Sequence, residues 1–153
     1  MGLPQSYIIE LAWCAGIIDG EGSIVLIRHP AHRGTATHYF SPRICVEIRE
    51  QVAVEVLYRL FGGHIAFASK KNKKHCSTYK WTVGHRQALA AATELLPFLR
   101  LKTKQAKLII EYYNLPRGYK TGTPPKLVTD RNAIYEKMRD LNQKGPDNVV
   151  DHE

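Results

Sequence analysis

The sequence predicts an α+β fold in which helices cover one face of a four-stranded antiparallel sheet. Two observations lead to this prediction. Apolar residues recur with helical spacing in one set of segments, and they alternate with polar residues in two pairs of short segments. The order along the chain is helix, hairpin, helix, hairpin, helices. Each hairpin has one apolar and one polar face, so the sheet face away from the helices is expected to stay open.

The first half of the chain contains a helix, a hairpin and a second helix. The predicted elements are a helix over 6–18, strands over 23–28 and 39–49, and a helix over 51–61. Ser6 is the expected N-cap of the first helix, and the sequence DGEG at 19–22 is expected to end it. In the second strand, Ile44 and Val46 alternate with Arg43 and Cys45, which is typical of a strand with one buried face.

The second half repeats the hairpin and continues with helices. The predicted elements are strands over 64–69 and 78–83 and helices over 85–96, 103–114 and 130–143. The tip of the hairpin is the basic run KKNKKH, and a Gly/Pro/Lys loop over 117–125 precedes the last helix. We expect one domain over 1–153, with a core at about 6–115, a C-terminal loop and helix over 116–145, and a frayed tail.

Composition narrows the class of protein. The chain has 153 residues, of which 44% are hydrophobic and 24% charged, so it can bury a core without disulfides or structural metals. Cys14, Cys45 and Cys76 have no zinc-type spacing, and a reducing compartment is expected. The pattern of the sequence leads us to expect no leader peptide, no membrane span and no membrane partner, and we expect a soluble intracellular protein.

The net charge of +8 favours a polyanionic partner. Between residues 56 and 110 Glu94 is the only acid, against eleven lysines and arginines. A solvated surface explains any single one of these cations equally well. Together they favour nucleic acid, and a basic open sheet face is suited to the major groove of DNA.

The end of the first predicted helix carries the chemistry. Ala12, Ala15 and Gly16 form a strip of small residues that lets a second helix approach closely. Asp19 and Glu21 follow, and an extended or turning backbone would project both to the same side. Carboxylates with a free carbonyl suit Mg²⁺. An ordinary helix end with solvated acids remains the alternative, although acids there oppose the helix dipole unless a cation compensates.

Two segments resemble one protein family. The run AGIIDGEGS at 15–23, entered by Leu11 and Ala12 and followed by a strand, resembles the LAGLIDADG motif of homing endonucleases. Far downstream, PFLRLKTKQA at 97–106 resembles a segment of the single-motif, homodimeric members. With the order of elements, the resemblance covers roughly residues 7 to 115. It implies the αββαββα LAGLIDADG fold, whose sheet forms a saddle.

The resemblance also implies roles for individual residues. Glu21 matches the acid that binds the metal at the scissile phosphates, and Gly20 matches the residue whose carbonyl completes the coordination. Asp19 matches an acid that is more often structural, and Lys102 matches a lysine near the attacking water. A polar residue near the end of the second strand commonly holds active-site water. Its candidates here are Glu47, Glu50 and Gln51, with Glu50 preferred.

The implied partners are double-stranded DNA and a second copy of the chain. The expected DNA contacts on the open sheet are Ser23, Arg28, His29, Arg43, Glu47, Arg49, Lys70, Lys71, Lys73, Lys74, Lys80 and Thr82. The expected dimer contacts on the first helix are Leu11, Ala12, Ala15, Gly16 and Asp19. The implied cofactor is Mg²⁺ or Mn²⁺, and Ca²⁺ is expected to bind without supporting cleavage.

The resemblance implies a homing endonuclease that makes a double-strand break in a long, pseudo-palindromic target. Two alternatives stay open. An RNA maturase or an inactive DNA-binding protein of the same fold would keep the basic sheet without needing Glu21 and Lys102. A basic interaction protein that uses no metal would not cleave under any ionic condition.

Overall fold

The computed structural model describes residues 2–31, 37–69, 76–118 and 122–143. It confirms the α+β class and the predicted order of elements. The helices are α1 (Gln5–Glu21), α2 (Gln51–Phe61), α3 (His85–Leu95), α4 (Thr103–Asn114) and α5 (Pro125–Leu141). The strands are β1 (Gly22–His29), β2 (Tyr39–Ile48), β3 (His64–Ala68) and β4 (Thr78–Gly84).

The four strands form one antiparallel sheet in the order β1-β2-β4-β3. Gly22 pairs with Val46 at one end of the β1–β2 ladder, and His29 pairs with Tyr39 at the other. Because side chains alternate along a strand, Ile24, Ile44 and Val46 all face the helices and are fully buried. None of the described helices lies on the opposite face, as predicted.

The core lies between the sheet and the helices. Trp81 of β4 is its largest fully buried side chain, and its indole N–H donates to the Gly62 carbonyl at 2.8 Å. Ile134 and Met138 of α5 belong to the same core cluster as Leu11 of α1. The C-terminal helix therefore shares one core with the two hairpins.

Two glycines join α2 to β3. Gly62 and Gly63 have φ of 68° and 94°, a conformation that other residues rarely adopt. A Cβ on Gly63 would stand 2.4 Å from the Thr82 carbonyl oxygen. This tight approach sets where β3 enters beside β4, so the glycine pair fixes the position of that edge strand.

Helix α1 is longer than predicted. The backbone stays helical through Asp19 and Gly20 to Glu21, and the helix ends at Gly22, whose N–H donates to the Ile18 carbonyl. Gly22 packs closely at this corner, because a Cβ there would lie 2.8 Å from the Ile18 backbone. The prediction that DGEG ends the helix at residue 18 is therefore wrong. Ser6 lies inside the helix, and Pro4 occupies the N-cap position.

Helix α5 also begins earlier than predicted, at Pro125 instead of residue 130. Proline suits the first helical position because its fixed φ is already helical and the N–H it lacks would have no partner there. Pro125, predicted to end the loop, is thus the first residue of the helix, and residues 126–129 extend the helix toward the N-terminus. Within the described ranges, no helix is both long enough and apolar enough to cross a membrane.

Candidate active site and nucleic-acid interface

The C-terminal end of α1 is tied to the segment that precedes α4. The Asp19 carboxylate accepts backbone N–H groups from Arg100 at 2.7 Å and from Lys102 at 2.9 Å. Lys102 Nζ donates to the Asp19 carbonyl oxygen at 2.5 Å. Asp19 is buried, and these bonds satisfy a carboxylate that has left water. The two segments that carry the family resemblance thus meet in space.

Lys102 also offsets the negative charge at this helix end. The last carbonyl groups of a helix carry partial negative charge, and Asp19 and Glu21 add to it. The Lys102 ammonium lies against that terminus and offsets the charge. Gly20 lies in the same last turn, where carbonyl groups have no partner inside the helix.

Asp19 and Glu21 do not project to the same side. The prediction assumed an extended or turning backbone, whereas the backbone here is helical, and two helical residues differ by roughly 200° around the axis. Asp19 faces the interior, and Glu21 is exposed. The two acids therefore have different surroundings: one is a buried crosslink, and the other faces a cavity.

The cavity at Glu21 has a volume of about 340 Å³. Its lining residues are Glu21, Glu47, Ile48, Arg49, Glu50 and Thr78. Strand register brings these residues together, because Gly22 pairs with Val46 at the end of the β1–β2 ladder and Glu21 and Glu47 are their neighbours in the chain. Thr78 Oγ1 donates to Glu47 Oε1 at 2.6 Å, which holds that carboxylate in place.

The structure separates the three candidates for the polar residue near the end of β2. Glu47 and Glu50 line the cavity with Glu21, whereas Gln51 does not. The Gln51 amide instead donates to Glu55 Oε1 at 2.8 Å, one helical turn further along α2. The Gln51 side chain is thus bound along the surface of the helix in this structure, and its role in the active site stays a prediction. Glu47, predicted to be a DNA contact, lines the acidic cavity.

The donor set of the cavity fits a small divalent cation. Three carboxylates face one arginine in a chain whose net charge is +8, and the Gly20 carbonyl lies in the adjoining helix turn. In the described ranges, no three His, Cys, Asp or Glu side chains converge closely enough to hold a metal alone. Mg²⁺ commonly takes one or two carboxylates and completes its shell with water and substrate phosphate. The residues present therefore fit Mg²⁺ as part of a larger coordination shell.

The open sheet face is a polar surface continuous with this cavity. Strand parity and the ladders place the following predicted DNA contacts on it: Ser23, His29, Arg43, Glu47, Lys80 and Thr82. Lys80 pairs with Glu47 across β2 and β4, and Thr82 pairs with Cys45. Arg49 follows β2 with the same parity and lies at the cavity. These residues lie on one surface, and their contact with DNA stays a prediction.

Two parts of the predicted interface differ or lie outside the described chain. Arg28 has the parity of Ile24 and Leu26, which are buried under the helices, so its side chain leaves the strand on the helix-covered side. Its placement on the open face is therefore wrong. The four lysines of the hairpin tip, Lys70, Lys71, Lys73 and Lys74, lie outside the described residues.

The sequence analysis missed two residues of the open face, Tyr39 and Ser41. The His29 ring stacks on the Tyr39 ring at a centroid distance of 4.4 Å, and His29 Nε2 lies 2.7 Å from Ser41 Oγ. The alternation that identified Arg43 and Cys45 would have identified both, had it been followed toward the start of the strand. This cluster fixes the outer end of the face.

Helix α1 has a core side and an exposed side, and both are apolar. Leu11 and Ala15 are buried in the core of their own chain, and Asp19 is bound to the segment before α4. Placing these three residues at a dimer contact is therefore wrong, because their surface is already covered. Ala12 and Gly16 are exposed, as that prediction requires.

The exposed side of α1 also carries larger apolar residues that were missed. Ile9 is 62% exposed and Trp13 is 43% exposed, and both share the face of Ala12 and Gly16. Leu101, 74% exposed, belongs to the segment bound to the end of this helix. Apolar residues at helical spacing normally face a packed surface. Here, that surface would have to come from a partner.

The fold matches solved structures of homing endonucleases. The chain resembles the homing endonuclease I-CvuI, solved with a DNA target in the presence of Mg, at a TM-score of 0.74 and 18% identity over 94% of this chain and 88% of that one. For the archaeal intron-encoded I-Vdi141I complexed with DNA, the TM-score is 0.70 and the identity 15%, over 91% and 87%. No family model and no curated protein matches the sequence.

A third structure differs in length. The chain matches the LAGLIDADG homing endonuclease I-SmaMI, bound to cleaved DNA, at a TM-score of 0.60 and 16% identity. The match covers 94% of this chain but 48% of that protein. At these identities the comparisons establish the fold, which is that of the LAGLIDADG homing endonucleases.

Proposed function

We propose that this chain, built on the LAGLIDADG fold, is a divalent-metal-dependent DNA endonuclease that acts as a homodimer and cuts both strands of a long, pseudo-palindromic target. The observation that carries the proposal is the acidic cavity at Glu21. It opens beside the sheet face that carries Arg43 and Lys80 and next to the helix end where Lys102 binds. Hydrolysis of a phosphodiester in DNA can use acids that hold a metal ion and a positively charged side chain near the phosphate. The sheet face would supply a surface that fits a groove of DNA.

The residues at the cavity and at the adjoining helix end have different proposed roles in hydrolysis. Glu21, with the Gly20 carbonyl, would hold Mg²⁺, which would supply positive charge near the phosphate oxygens. Water would form its bond to phosphorus while the bond from phosphorus to the leaving sugar oxygen breaks. Glu50 would orient the attacking water and accept its proton, and Glu47 is held by Thr78 as a second acceptor. Lys102 has three N–H donors, of which one is bound to Asp19. The other two can stabilise charge on the phosphate.

A plasmid library carrying random inserts tests the activity. With Mg²⁺ we expect a small set of inserts to be cut, and the cut inserts should share two similar half-sites in inverted orientation. With EDTA we expect no cutting. Equal cutting in EDTA would contradict the metal requirement, and binding without cutting would instead favour an inactive DNA-binding protein of the same fold.

The exposed face of α1 supports the homodimer. Gly16 and Gly20 lie inside the helix, and a Cβ on either would meet nothing within 4 Å in the same chain. Glycine in a helix costs about 0.5–1 kcal/mol relative to alanine, and the chain gains nothing for it internally. A second α1 packed on this face would explain both the glycines and the exposed Trp13. It would also bring two Glu21 cavities close to one axis.

We expect Gly16→Leu to weaken the dimer at least tenfold, because the new side chain would separate two helices that otherwise touch. The dissociation constant is measured by sedimentation equilibrium. Ala90→Leu is the matched control, since Ala90 is an exposed residue within helix α3. If Gly16→Leu and Ala90→Leu dimers dissociate at the same concentration, the α1 face is not the interface.

A native cysteine reports on the open sheet. Cys45 lies half-buried on that face, with its Sγ 3.0 Å from Ser23 Oγ. Cys14 faces the core, and burial raises the pKa of its thiol to about 12, so little reactive thiolate forms near neutral pH. Cys76 is exposed. The three thiols thus differ enough to be followed separately by mass spectrometry.

Saturating duplex DNA is expected to slow alkylation of Cys45 at least tenfold, because the duplex would cover the sheet face. Cys14 should stay unmodified throughout, which serves as the internal control for an intact fold. Heparin is a polyanion that has no double-helical groove to receive the sheet. At equal occupancy it should therefore protect Cys45 less than DNA does. If DNA does not change the rate of Cys45 alkylation, the duplex binds elsewhere on the molecule.

A further inference from the structure

A second cavity lies on the helix-covered side of the sheet, and arginine dominates it. It has a volume of about 310 Å³ and lies between α3, the end of α4, the segment after it and α5. Arg86, Arg117 and Arg131 line it from three separate parts of the chain. Tyr112 and Tyr113 also line it.

Within the described part of the chain, no ion pair joins the arginines of this cavity to an acid. None of the nine described residues that line it is acidic. The ion pairs seen in the described part of the chain join Arg59 to Glu10 and Arg139 to Glu136, and they leave these three arginines out. Three guanidinium groups around one small space repel each other, and an anion between them would relieve that repulsion.

The tyrosine wall makes the cavity a formed site. The Tyr112 hydroxyl donates to the Phe40 carbonyl at 3.1 Å, and the Tyr112 and Tyr113 rings meet edge to face at 5.7 Å. Burial raises the pKa of both hydroxyls, while Arg131 acts against this rise at Tyr112 and Arg86 acts against it at Tyr113. Two of the arginines are therefore close enough to act electrostatically on a rigid aromatic wall.

This cavity is separate from the candidate active site. Phe40 pairs with Arg28 near the outer end of the β1–β2 ladder, whereas Glu21 precedes the first pair of that ladder. Six strand residues lie between the two ends, which is about 20 Å at ~3.3 Å per residue. The cavity also lies among the helices, on the side of the sheet opposite the open face.

We infer that Arg86, Arg117 and Arg131 form a binding site for a phosphate group, separate from the acidic cavity at Glu21. Guanidinium groups bind phosphate oxygens in pairs of parallel hydrogen bonds, so three of them can enclose one phosphate. The phosphate can belong to a small molecule, such as a mononucleotide whose base stacks on Tyr113, or to the backbone of a nucleic acid that reaches past the sheet. The site chemistry is the same in both cases.

The test titrates the intact protein with pyrophosphate and with adenosine monophosphate by calorimetry. We expect saturable binding with one site per chain, weakened at least tenfold by the pair of changes Arg86→Gln and Arg131→Gln. The matched control is Lys137→Gln with Arg139→Gln, which removes the same charge from exposed positions on α5 and should change the affinity less than twofold. Arg131→Lys keeps the charge but loses the paired geometry, and it should bind more weakly than the unchanged protein.

Circular dichroism melting checks that each variant is folded before it is titrated. Equal loss of affinity in the cavity pair and in the control pair would show diffuse charge attraction and would overturn the site. Lack of saturable binding by the unchanged protein would overturn it as well. A short DNA duplex that competes with pyrophosphate, and that binds the cavity pair of variants at least tenfold more weakly, identifies a backbone phosphate as the source. A duplex that does not compete identifies a small molecule.

Discussion

Replacing Glu21 with glutamine is expected to lower the rate of DNA cleavage by about a thousandfold while DNA binding is kept. Glutamine has the shape of glutamate but not its charge, so the cavity would hold Mg²⁺ poorly. A catalytic metal contributes several kcal/mol to such a reaction, and each 1.4 kcal/mol is a factor of ten in rate. Rates are compared on a plasmid that carries a target selected from the library, under single-turnover conditions.

Glu55→Gln is the matched control for this change. Glu55 is exposed on α2, outside the cavity, and accepts a hydrogen bond from Gln51, so its loss should leave the rate within about twofold. Filter binding measures affinity for the target in parallel. Equal cleavage by the Glu21→Gln and Glu55→Gln proteins would show that Glu21 does not bind the catalytic metal. A loss of DNA binding that matches the loss of cleavage would show that Glu21 acts as a DNA contact.

Asp19→Asn is expected to reduce the free energy of unfolding by about 2–4 kcal/mol. The Asp19 carboxylate accepts two backbone N–H groups in a buried setting, and bonds of this kind to a charged group are worth about 1.5–3 kcal/mol each. An asparagine can accept one of them, but its amide N–H₂ then faces the other N–H. Urea denaturation with a fluorescence readout from Trp13 and Trp81 measures the change.

Asp140→Asn serves as the control, because Asp140 is exposed on α5 and its change should stay within about 0.5 kcal/mol. Asp19→Asn should also lower cleavage, since the Lys102 backbone N–H would be held less firmly by the residue 19 side chain and the position of the lysine at the end of α1 would be less fixed. A saturating DNA target should stabilise the folded form of the Asp19→Asn protein. Cleavage by this variant should remain lowered under conditions in which its folding is already restored. A stability loss no larger than that of Asp140→Asn would mean that the crosslink between α1 and the segment before α4 contributes little.

Local sequence signals predicted most of the fold. The alternation in 39–49 fixed which side of β2 is buried, and helical spacing gave α2 and α4 with the bounds that the structure shows. The predictions failed where tertiary contacts override local preference. Gly20 suggested a helix end, yet Lys102 and the bonds to Asp19 carry the helix on to Glu21. Those partners lie more than eighty residues away, so the sequence around the glycine gives no indication of them.

The candidate site was predictable in its members but not in its arrangement. Glu21, Lys102 and Glu50 were all identified, whereas the pairing of Glu47 with Thr78 depends on the register of β2 against β4. Similarly, Gln51 is a plausible water ligand by type, and only the position of Glu55 one turn later shows where its amide is bound. The side of Arg28 could have been read from the parity of Ile24 and Leu26.

The central claim is that two copies of this chain each contribute one Glu21 site and each cut one strand. Co-expression of the unchanged chain with the Glu21→Gln chain, each carrying a different affinity tag, yields mixed dimers that two purification steps isolate. On a supercoiled plasmid with the selected target, we expect mixed dimers to convert the plasmid to nicked circles, and dimers of the unchanged chain to convert it to linear DNA. Linear DNA produced by mixed dimers at the rate of the unchanged protein would contradict the claim.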